Sequence, residues 1–241
     1  MKSTASSSPR GFTLLETVIA IGVLAVLLTG FMVVFTPAAE GIRKSINIQQ
    51  ADRMTSALEH ELVTLHGPPE VTKYGTGFNK AFDWIQKSNV AAPKDALLVY
   101  QYRGKVSSLR SDDNTPTPEP VVKDKLPGQD YVVVPMARRK SDPKLAEDLA
   151  AVEGAVYLVK CNQLIFNKGQ LISGTAGEIK DPKDGAAATS ADVYPEAVIA
   201  FSAEFHMLPA KTAAYISGAA FSQKFNSVKN PVFTRNLAVR R

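Results

Sequence analysis

A run of apolar residues near the amino terminus limits this chain more than any other feature. From Thr17 to Thr36, twenty consecutive residues carry no formal charge. At about 1.5 Å per residue, a helix of that length spans about 30 Å, the hydrocarbon thickness of a bilayer. The segment therefore predicts a transmembrane helix. A cleaved secretory signal is the alternative, because Thr36-Pro37-Ala38 offers a weak small-residue cleavage site. The apolar core of such a signal is usually shorter, about 7–15 residues.

The charges that flank this segment favour one orientation only slightly. Lys2 and Arg10 precede it, whereas Arg43 and Lys44 follow it and are partly offset by Glu40. Because short cytoplasmic segments carry an excess of Lys and Arg, we expect the amino terminus in the cytoplasm.

One carboxylate, Glu16, lies at the start of the apolar segment. A charge in lipid costs about 2.5–3.5 kcal/mol at the centre of a helix and less near the interface. Glu16 is then either an acid at headgroup level that the helix dipole favours, or a group whose positive partner comes from another molecule.

The stretch "PRGFTLLETVIAIGVLAVLL", residues 9–28, resembles the amino terminus of type IV pilins and of type II secretion pseudopilins. The pattern is a short basic leader that ends in Gly11, then Phe12, an apolar run, and Glu16 at the fifth mature position. The resemblance in sequence extends over about residues 9–40.

The resemblance implies a processing site and an assembly site. A prepilin peptidase would cleave between Gly11 and Phe12, and Phe12 would become N-methylated. Glu16 would pair with the terminal amine of a neighbouring subunit. Because an unpaired buried charge is penalised, this pair would select the correct stagger between subunits. The implied partners are the peptidase, other pilins or pseudopilins in a homo- or hetero-filament, an inner-membrane assembly platform, and membrane lipid.

The sequence predicts four segments: a leader at 1–11, a transmembrane and filament-core helix at 12–36, its amphipathic continuation at 37–66, and a globular periplasmic domain at 67–241. Pro37 is expected to kink or locally melt the helix. An apolar stripe supports the continuation, with Ile42, Ile46, Ala51, Met54, Leu58, Leu62 and Leu65 at spacings of three to five. His66, Gly67 and two prolines then predict its end.

Beyond residue 70 the pattern indicates strands, so the predicted fold class is α+β: a long helix packed on a mostly antiparallel sheet. Strands are predicted at 96–103, 131–137, 155–160, 163–167, 197–205, 213–221 and 231–239. Short helices are predicted at 78–88 and at 142–153, the latter with Asp142 as N-cap. Lys160-Cys161-Asn162 is predicted to be a tight turn. Residues 111–129 and 173–196 are predicted loops, since both are rich in turn-forming residues.

No catalytic, cofactor or metal site is predicted. His60-Glu61 begins a zinc-peptidase signature, but Thr64 stands where the second histidine would be needed. Ser141 and Lys144 have the spacing of a nucleophile pair without its companion motifs. Two acidic groups could bind calcium, although neither has a known ligand spacing: Asp112, Asp113 and Asn114, and Asp181, Asp184 and Asp192.

Net charge and cysteine content exclude further kinds of partner and bond. The net charge is +5, and removal of Lys2 and Arg10 with the leader leaves +3, so no nucleic-acid partner is expected. Cys161 is the single cysteine, which rules out an intrachain disulfide, and it is predicted to be a small apolar strand residue. Trp84 is predicted to lie in the core.

The predicted function is a prepilin-like structural subunit in the bacterial inner membrane that enters an envelope filament, a pilus or a secretion pseudopilus. The size of the chain favours a minor subunit. The alternatives are a secreted or membrane-anchored binding domain with an ordinary signal peptide, and a membrane-anchored enzyme.

Overall fold

The computed structural model describes residues 13–90, 93–120, 124 and 126–241. The chain forms two compact units, Met1–Gln49 and Gln50–Arg241. The helices are α1 (Leu14–Val63), α2 (Gly67–Tyr74), α3 (Gly77–Ser88), α4 (Leu145–Ala150), α5 (Ala213–Ser217) and α6 (Ala219–Phe225), with a 3₁₀ turn at Pro93–Asp95. The strands are β1 (Leu97–Leu109), β2 (Pro116–Pro118), β3 (Tyr131–Arg139), β4 (Val152–Asn167), β5 (Gln170–Ser173), β6 (Val198–Met207) and β7 (Phe233–Arg240).

Helix α1 supplies the regular structure of the first unit and continues into the second. It runs without a break through Pro37, so the predicted local melting there is wrong. A proline removes one backbone hydrogen bond, and the bonds on either side of it are enough to maintain helix in a segment this long.

The second unit is built on a sheet of seven strands. The main path is β2-β1-β4-β6-β7, while β3 pairs with β1 and β5 pairs with β4. Every ladder between these strands is antiparallel. Together with the helices this is an α+β layout, which confirms the predicted fold class.

Both faces of the central strands are buried. Along β1, Leu97 and Val99 belong to one apolar cluster, whereas Leu98 and Tyr100 belong to another. Successive side chains of a strand point to opposite faces, so the two clusters lie on opposite sides of the sheet. The first cluster includes Met54, Leu58 and Leu62 of α1 and Phe78, Phe82 and Ile85 of α3. The second includes Leu149 of α4, Ile216 of α5, and Phe221 and Phe225 of α6.

The apolar stripe predicted for the second half of α1 is confirmed where the helix belongs to the second unit. Ala51, Met54, Leu58 and Leu62 are buried. Their spacing of three to four residues places them on one helix face.

The residues predicted to end α1, from His66 to Pro69, also begin α2. Helix α1 ends at Val63, and Pro68 and Pro69 stand in the first turn of α2, where the missing N–H groups cost nothing. Helix α3 then begins beside the end of α1. A Cβ at Gly77 would lie 2.2 Å from the Val63 carbonyl oxygen, so this approach requires glycine.

One predicted strand is wrong. Residues 213–221 form α5 and the start of α6. The Thr212 hydroxyl accepts a hydrogen bond from the Tyr215 N–H and caps α5. Phe221 and Phe225 of α6 are buried and lie four residues apart, which is the spacing of one helix face.

The predicted turn at 160–162 is also wrong, because β4 continues through it. Lys160 interrupted the apolar pattern, yet its side chain is buried and its Nζ donates to the Val228 carbonyl at 3.2 Å. The turn lies later, where Lys168 and Gly169 have φ of 48° and 85°. Two positive φ values suit the tight connection between β4 and β5.

Two other predicted segments, a helix and a loop, have different bounds in the structure. Helix α4 is shorter than the predicted 142–153, and its N-cap residue is Lys144 rather than Asp142. The Asp142 carboxylate instead accepts the N–H of Lys144, two residues further on, at 2.8 Å. The predicted loop 111–129 contains the short strand β2.

We expect Leu62→Ala to lower the free energy of unfolding by about 2–5 kcal/mol, because it leaves a cavity under α1. Urea unfolding of the detergent-solubilised chain, followed by Trp84 fluorescence, measures this. The neighbouring Val63 is 47% exposed, so Val63→Ala is the matched control and should cost much less. Equal losses in the two variants would contradict the burial of this helix face.

Candidate functional site

The first turn of α1 is organised by Thr13. Its hydroxyl accepts a hydrogen bond from the Glu16 N–H at 3.2 Å. Its carbonyl accepts from the Thr17 N–H at 3.1 Å and from the Thr17 hydroxyl at 3.2 Å. Thr13 is therefore the N-cap of α1. Thr13 and Glu16 also have the spacing of a capping box, a signal that our sequence analysis missed.

Glu16 lies exposed in this capped first turn. The amino-terminal end of a helix favours a negative charge there. In the described part of the chain, the carboxylate has no cationic partner. Gly11 and Phe12, the predicted processing residues, lie outside the described residues.

An apolar surface follows directly. Within α1, Leu14–Ala39 is the one stretch in the described part of the chain that is long and apolar enough to cross a membrane. In its 18-residue apolar window no residue is buried. Its 26 residues extend about 39 Å at a rise of about 1.5 Å each. The large apolar side chains that are at least half exposed are Leu14, Leu15, Val18, Ile19, Ile21, Val23, Leu24, Val26, Leu27, Leu28, Phe31, Met32, Val33, Val34 and Phe35.

A second set of candidate residues lies at the other end of α1. Lys80 of α3 is completely buried, and its Nζ donates to Glu61 Oε1 at 2.8 Å, to Glu70 Oε2 at 3.0 Å and to the Thr64 carbonyl at 2.7 Å. A cation beside a carbonyl at the end of a helix is favoured by the helix dipole. We call Glu61, Thr64, His66, Glu70 and Lys80 the Lys80 cluster.

His66 completes this cluster. Its Nε2 lies 2.8 Å from Glu61 Oε2, and its backbone N–H donates to Glu70 Oε2 at 2.8 Å. The hydrogen bond to Glu61 raises the pKa of His66 against the opposing effect of burial. Glu61, which the zinc-peptidase signature would use as a base, is thus held by an ion pair. In the described residues no group of three or more His, Cys, Asp or Glu side chains has the geometry to hold a metal.

A third set of candidate residues centres on Asp148 of α4, which is fully buried. Its carboxylate accepts from the Tyr100 hydroxyl at 2.6 Å, from Arg138 Nε at 2.7 Å and from a terminal nitrogen of Arg110 at 2.8 Å. Burial raises the pKa of Tyr100 well above its ordinary value. The phenol therefore stays protonated and donates.

The first acidic group considered for calcium is held by cations of the protein itself. Asp113 Oδ2 accepts from Lys144 Nζ at 2.7 Å and from Arg138 at 3.1 Å, and Oδ1 accepts from the Thr115 N–H at 3.0 Å. Although burial opposes them, these bonds hold the pKa of Asp113 far below its ordinary value. Lys144, the lysine of the considered nucleophile pair, is thereby occupied.

In the second acidic group, two carboxylates accept backbone hydrogen bonds in turns. Asp181 and Asp184 each accept a backbone N–H two residues further on, both at 2.8 Å. This is the usual local use of aspartate in loops.

Cys161 is an apolar strand residue and Trp84 lies in the core, as predicted, although the turn predicted around Cys161 is absent from β4. Cys161 is buried in β4, and burial raises the pKa of its thiol to about 12, so the thiol is protonated and acts as an apolar residue. Trp84 is buried in the first apolar cluster, and its indole donates to the Tyr74 hydroxyl at 3.2 Å.

Comparison with known proteins adds one finding. The family model described as the prokaryotic N-terminal methylation motif matches residues 6–32. A search of curated proteins and a search of solved structures each gave no match. The matched segment covers the beginning of α1 and includes Thr13 and Glu16.

We expect Asp148→Ala to lower the free energy of unfolding by about 3–5 kcal/mol, because it leaves buried arginines without their carboxylate. Glu147→Ala is the matched control: Glu147 bonds Arg110 at 3.0 Å, but its side chain is 69% exposed. Such a pair is worth about 1 kcal/mol or less. Urea unfolding of both variants tests this, and similar losses would refute a central role for Asp148.

Proposed function

We propose, on the premise that this chain is a protein of the type IV pilin and pseudopilin type, that it is a prepilin-like structural subunit. It is processed after Gly11 and assembles through its amino-terminal helix. The observation that carries the proposal is the methylation motif joined directly to a helix whose apolar side chains are exposed on every side.

The exposed apolar surface supports two successive roles for this helix: a membrane anchor before assembly, and packing against other helices within a filament. Leu14–Ala39 is longer than the roughly 30 Å hydrocarbon core, so it can span it with some tilt. An apolar helix that leaves lipid needs other apolar surface to replace that cover. Neighbouring subunits with the same kind of helix supply it in a filament.

The proposed organisation has a leader at 1–11, a transmembrane and filament-core helix at 12–36, its continuation at 37–66, and a periplasmic domain at 67–241. The boundary between the two units lies within this continuation of the helix, after Gln49. Beyond it, Met54, Leu58 and Leu62 of α1 are covered by the sheet and α3. The continuous exposed apolar surface of the helix therefore lies before this boundary.

Glu16 has the proposed role of aligning subunits. After cleavage, the terminal amine of Phe12 in a neighbouring subunit supplies its positive partner. Thr13 supports this role, because its hydroxyl caps the turn that carries Glu16 and thereby fixes the backbone from which the carboxylate projects. In a low-dielectric surrounding, a misaligned pair leaves both charges uncompensated, and this penalises the wrong stagger.

The proposed location is the bacterial inner membrane, with the amino terminus in the cytoplasm and the second unit in the periplasm, followed by an envelope filament. The proposed partners are the prepilin peptidase, other pilins or pseudopilins and the inner-membrane assembly platform. A minor subunit of a pilus or of a secretion pseudopilus fits the length of the chain. The alternative, an ordinary signal peptide, places the mature start after Ala38, inside an unbroken stretch of α1.

Processing is tested by co-expressing the full chain with a prepilin peptidase and measuring the intact mass of the membrane form. We expect a chain that begins at Phe12 and carries one added methyl group. Gly11→Leu should retain the leader, because a bulky side chain adjoins the scissile bond, while Gly11→Ala should be cleaved at an equal or lower rate. Ser8→Leu places the same side chain further upstream and should be cleaved normally. A mature form that begins at Ala39 would refute the proposal in favour of the signal peptide.

The role of Glu16 is tested by Glu16→Gln, which removes the charge and keeps the shape. We expect normal insertion and processing, but about tenfold less variant recovered with co-assembled pilins. Tenfold corresponds to about 1.4 kcal/mol, within the cost of an unpaired charge near the membrane interface. Thr17→Val changes the adjacent exposed polar residue of the same turn and should assemble like the wild type. Recovery of Glu16→Gln at the wild-type level would exclude the alignment role.

A further inference from the structure

The Lys80 cluster joins three helices at the end of α1. Glu61 comes from the last turn of α1, Glu70 from α2 and Lys80 from α3, while His66 is the N-cap residue of α2. The two carboxylates share one buried ammonium group, and His66 bonds both carboxylates. These contacts hold the end of α1 and the start of α2 against α3.

The charge of the cluster depends on His66. Glu61, Glu70 and Lys80 together carry one net negative charge when ionised, and a protonated His66 neutralises it. Lys80 is shielded from water, but the His66 side chain is 20% exposed. His66 lines two surface grooves, of about 590 Å³ and about 320 Å³, so protons reach it from solvent.

We propose that the Lys80 cluster is a pH-sensitive switch: protonated His66 holds the end of α1 against α2 and α3, and loss of its proton loosens this junction. The neutral ring still donates one hydrogen bond. Its positive charge is gone, and the two carboxylates then repel each other across a single ammonium group.

Other charged groups line the two grooves that contain His66. Besides Glu61, Glu70 and Lys80, the first groove brings Arg53 and His60 of α1 and Asp113 of the loop after β1. The second groove brings Lys73, Asp112, Arg138, Arg139, Asp142 and Lys144. Most of these groups have their own partners: Asp113 bonds Lys144 and Arg138, and Arg139 bonds Asp83 at 2.7 Å. Glu61 is the one that bonds the His66 ring directly.

The direction of the pH effect follows from the shift already described. The hydrogen bond to Glu61 raises the pKa of His66 in the folded chain. A raised pKa means that the contribution to stability is fully present below the ordinary histidine pKa of about 6.5 and is lost as the pH rises through the folded value. The junction is therefore tighter in mild acid and looser in mild alkali. This inference concerns contacts within one chain and does not depend on the proposed function.

Hydrogen exchange of the full, detergent-solubilised chain at pH 6 and pH 8 tests the switch. After correction for intrinsic exchange rates, we expect protection of amides in residues 58–63 and 67–74 to fall about twofold to fivefold at pH 8, the factor expected for a partly exposed ion pair. Amides of β7, which contains no histidine and no residue of the cluster, should keep their protection. Unchanged protection in 58–74, or an equal fall in β7, would overturn the proposal.

His66→Gln and His60→Gln form the matched pair of variants. Both replace a histidine near the end of α1, but the His60 ring has no bond to a carboxylate. We expect His66→Gln to abolish the pH dependence of protection and His60→Gln to retain it. The reverse result, or a full pH dependence in His66→Gln, refutes the switch. If His66→Gln does not fold, the His66 ring titration in the wild-type chain decides by nuclear magnetic resonance: a midpoint above 6.5 supports the switch, and one at or below 6.5 overturns it.

Discussion

In the described part of the chain, the large apolar side chains of Leu14–Ala39 are left uncovered. Apolar surface in water costs about 25 cal/mol per Å², so a segment of this length requires lipid or other chains around it. The methylation motif and Glu16 lie at the start of that segment. The same requirement separates two tasks along α1: the part before Gln50 is available to partners, and the part after it anchors a folded unit.

The second unit depends on buried ion pairs as well as on its two apolar clusters. Asp148 and Lys80 are each completely buried, and each is bonded by three groups that lie 10 to 48 positions away in the chain. Burying one charge is costly unless its partners satisfy it fully. Here Asp148 connects α4 to β1 and β3, and Lys80 connects α3 to α1 and α2. The same pairs that hold the helices in place therefore make removal of a single partner costly.

The amino-terminal features were predictable because they are local in the sequence: the apolar run, Glu16 and the residues around Gly11 are contiguous. The strands were mostly predictable from their β-branched and aromatic runs. Residues 213–225 were not, because a short apolar run suits a strand and a buried helix equally well. The buried clusters could not be predicted either. Glu61 and Lys80 are separated by 19 positions and Tyr100 and Asp148 by 48, and nothing in the local pattern indicates such pairs.

The burial of β1 on both faces has a consequence for how the strand finds its place. Leu97, Leu98, Val99 and Tyr100 are all apolar or aromatic, so sliding the strand by one position would still bury every side chain. Hydrophobicity alone does not distinguish the two alignments. The Tyr100 hydroxyl distinguishes the two alignments, because its hydrogen-bond acceptor, Asp148, lies on one side of the sheet only. A single phenol oxygen thus carries positional information that the surrounding hydrocarbon lacks.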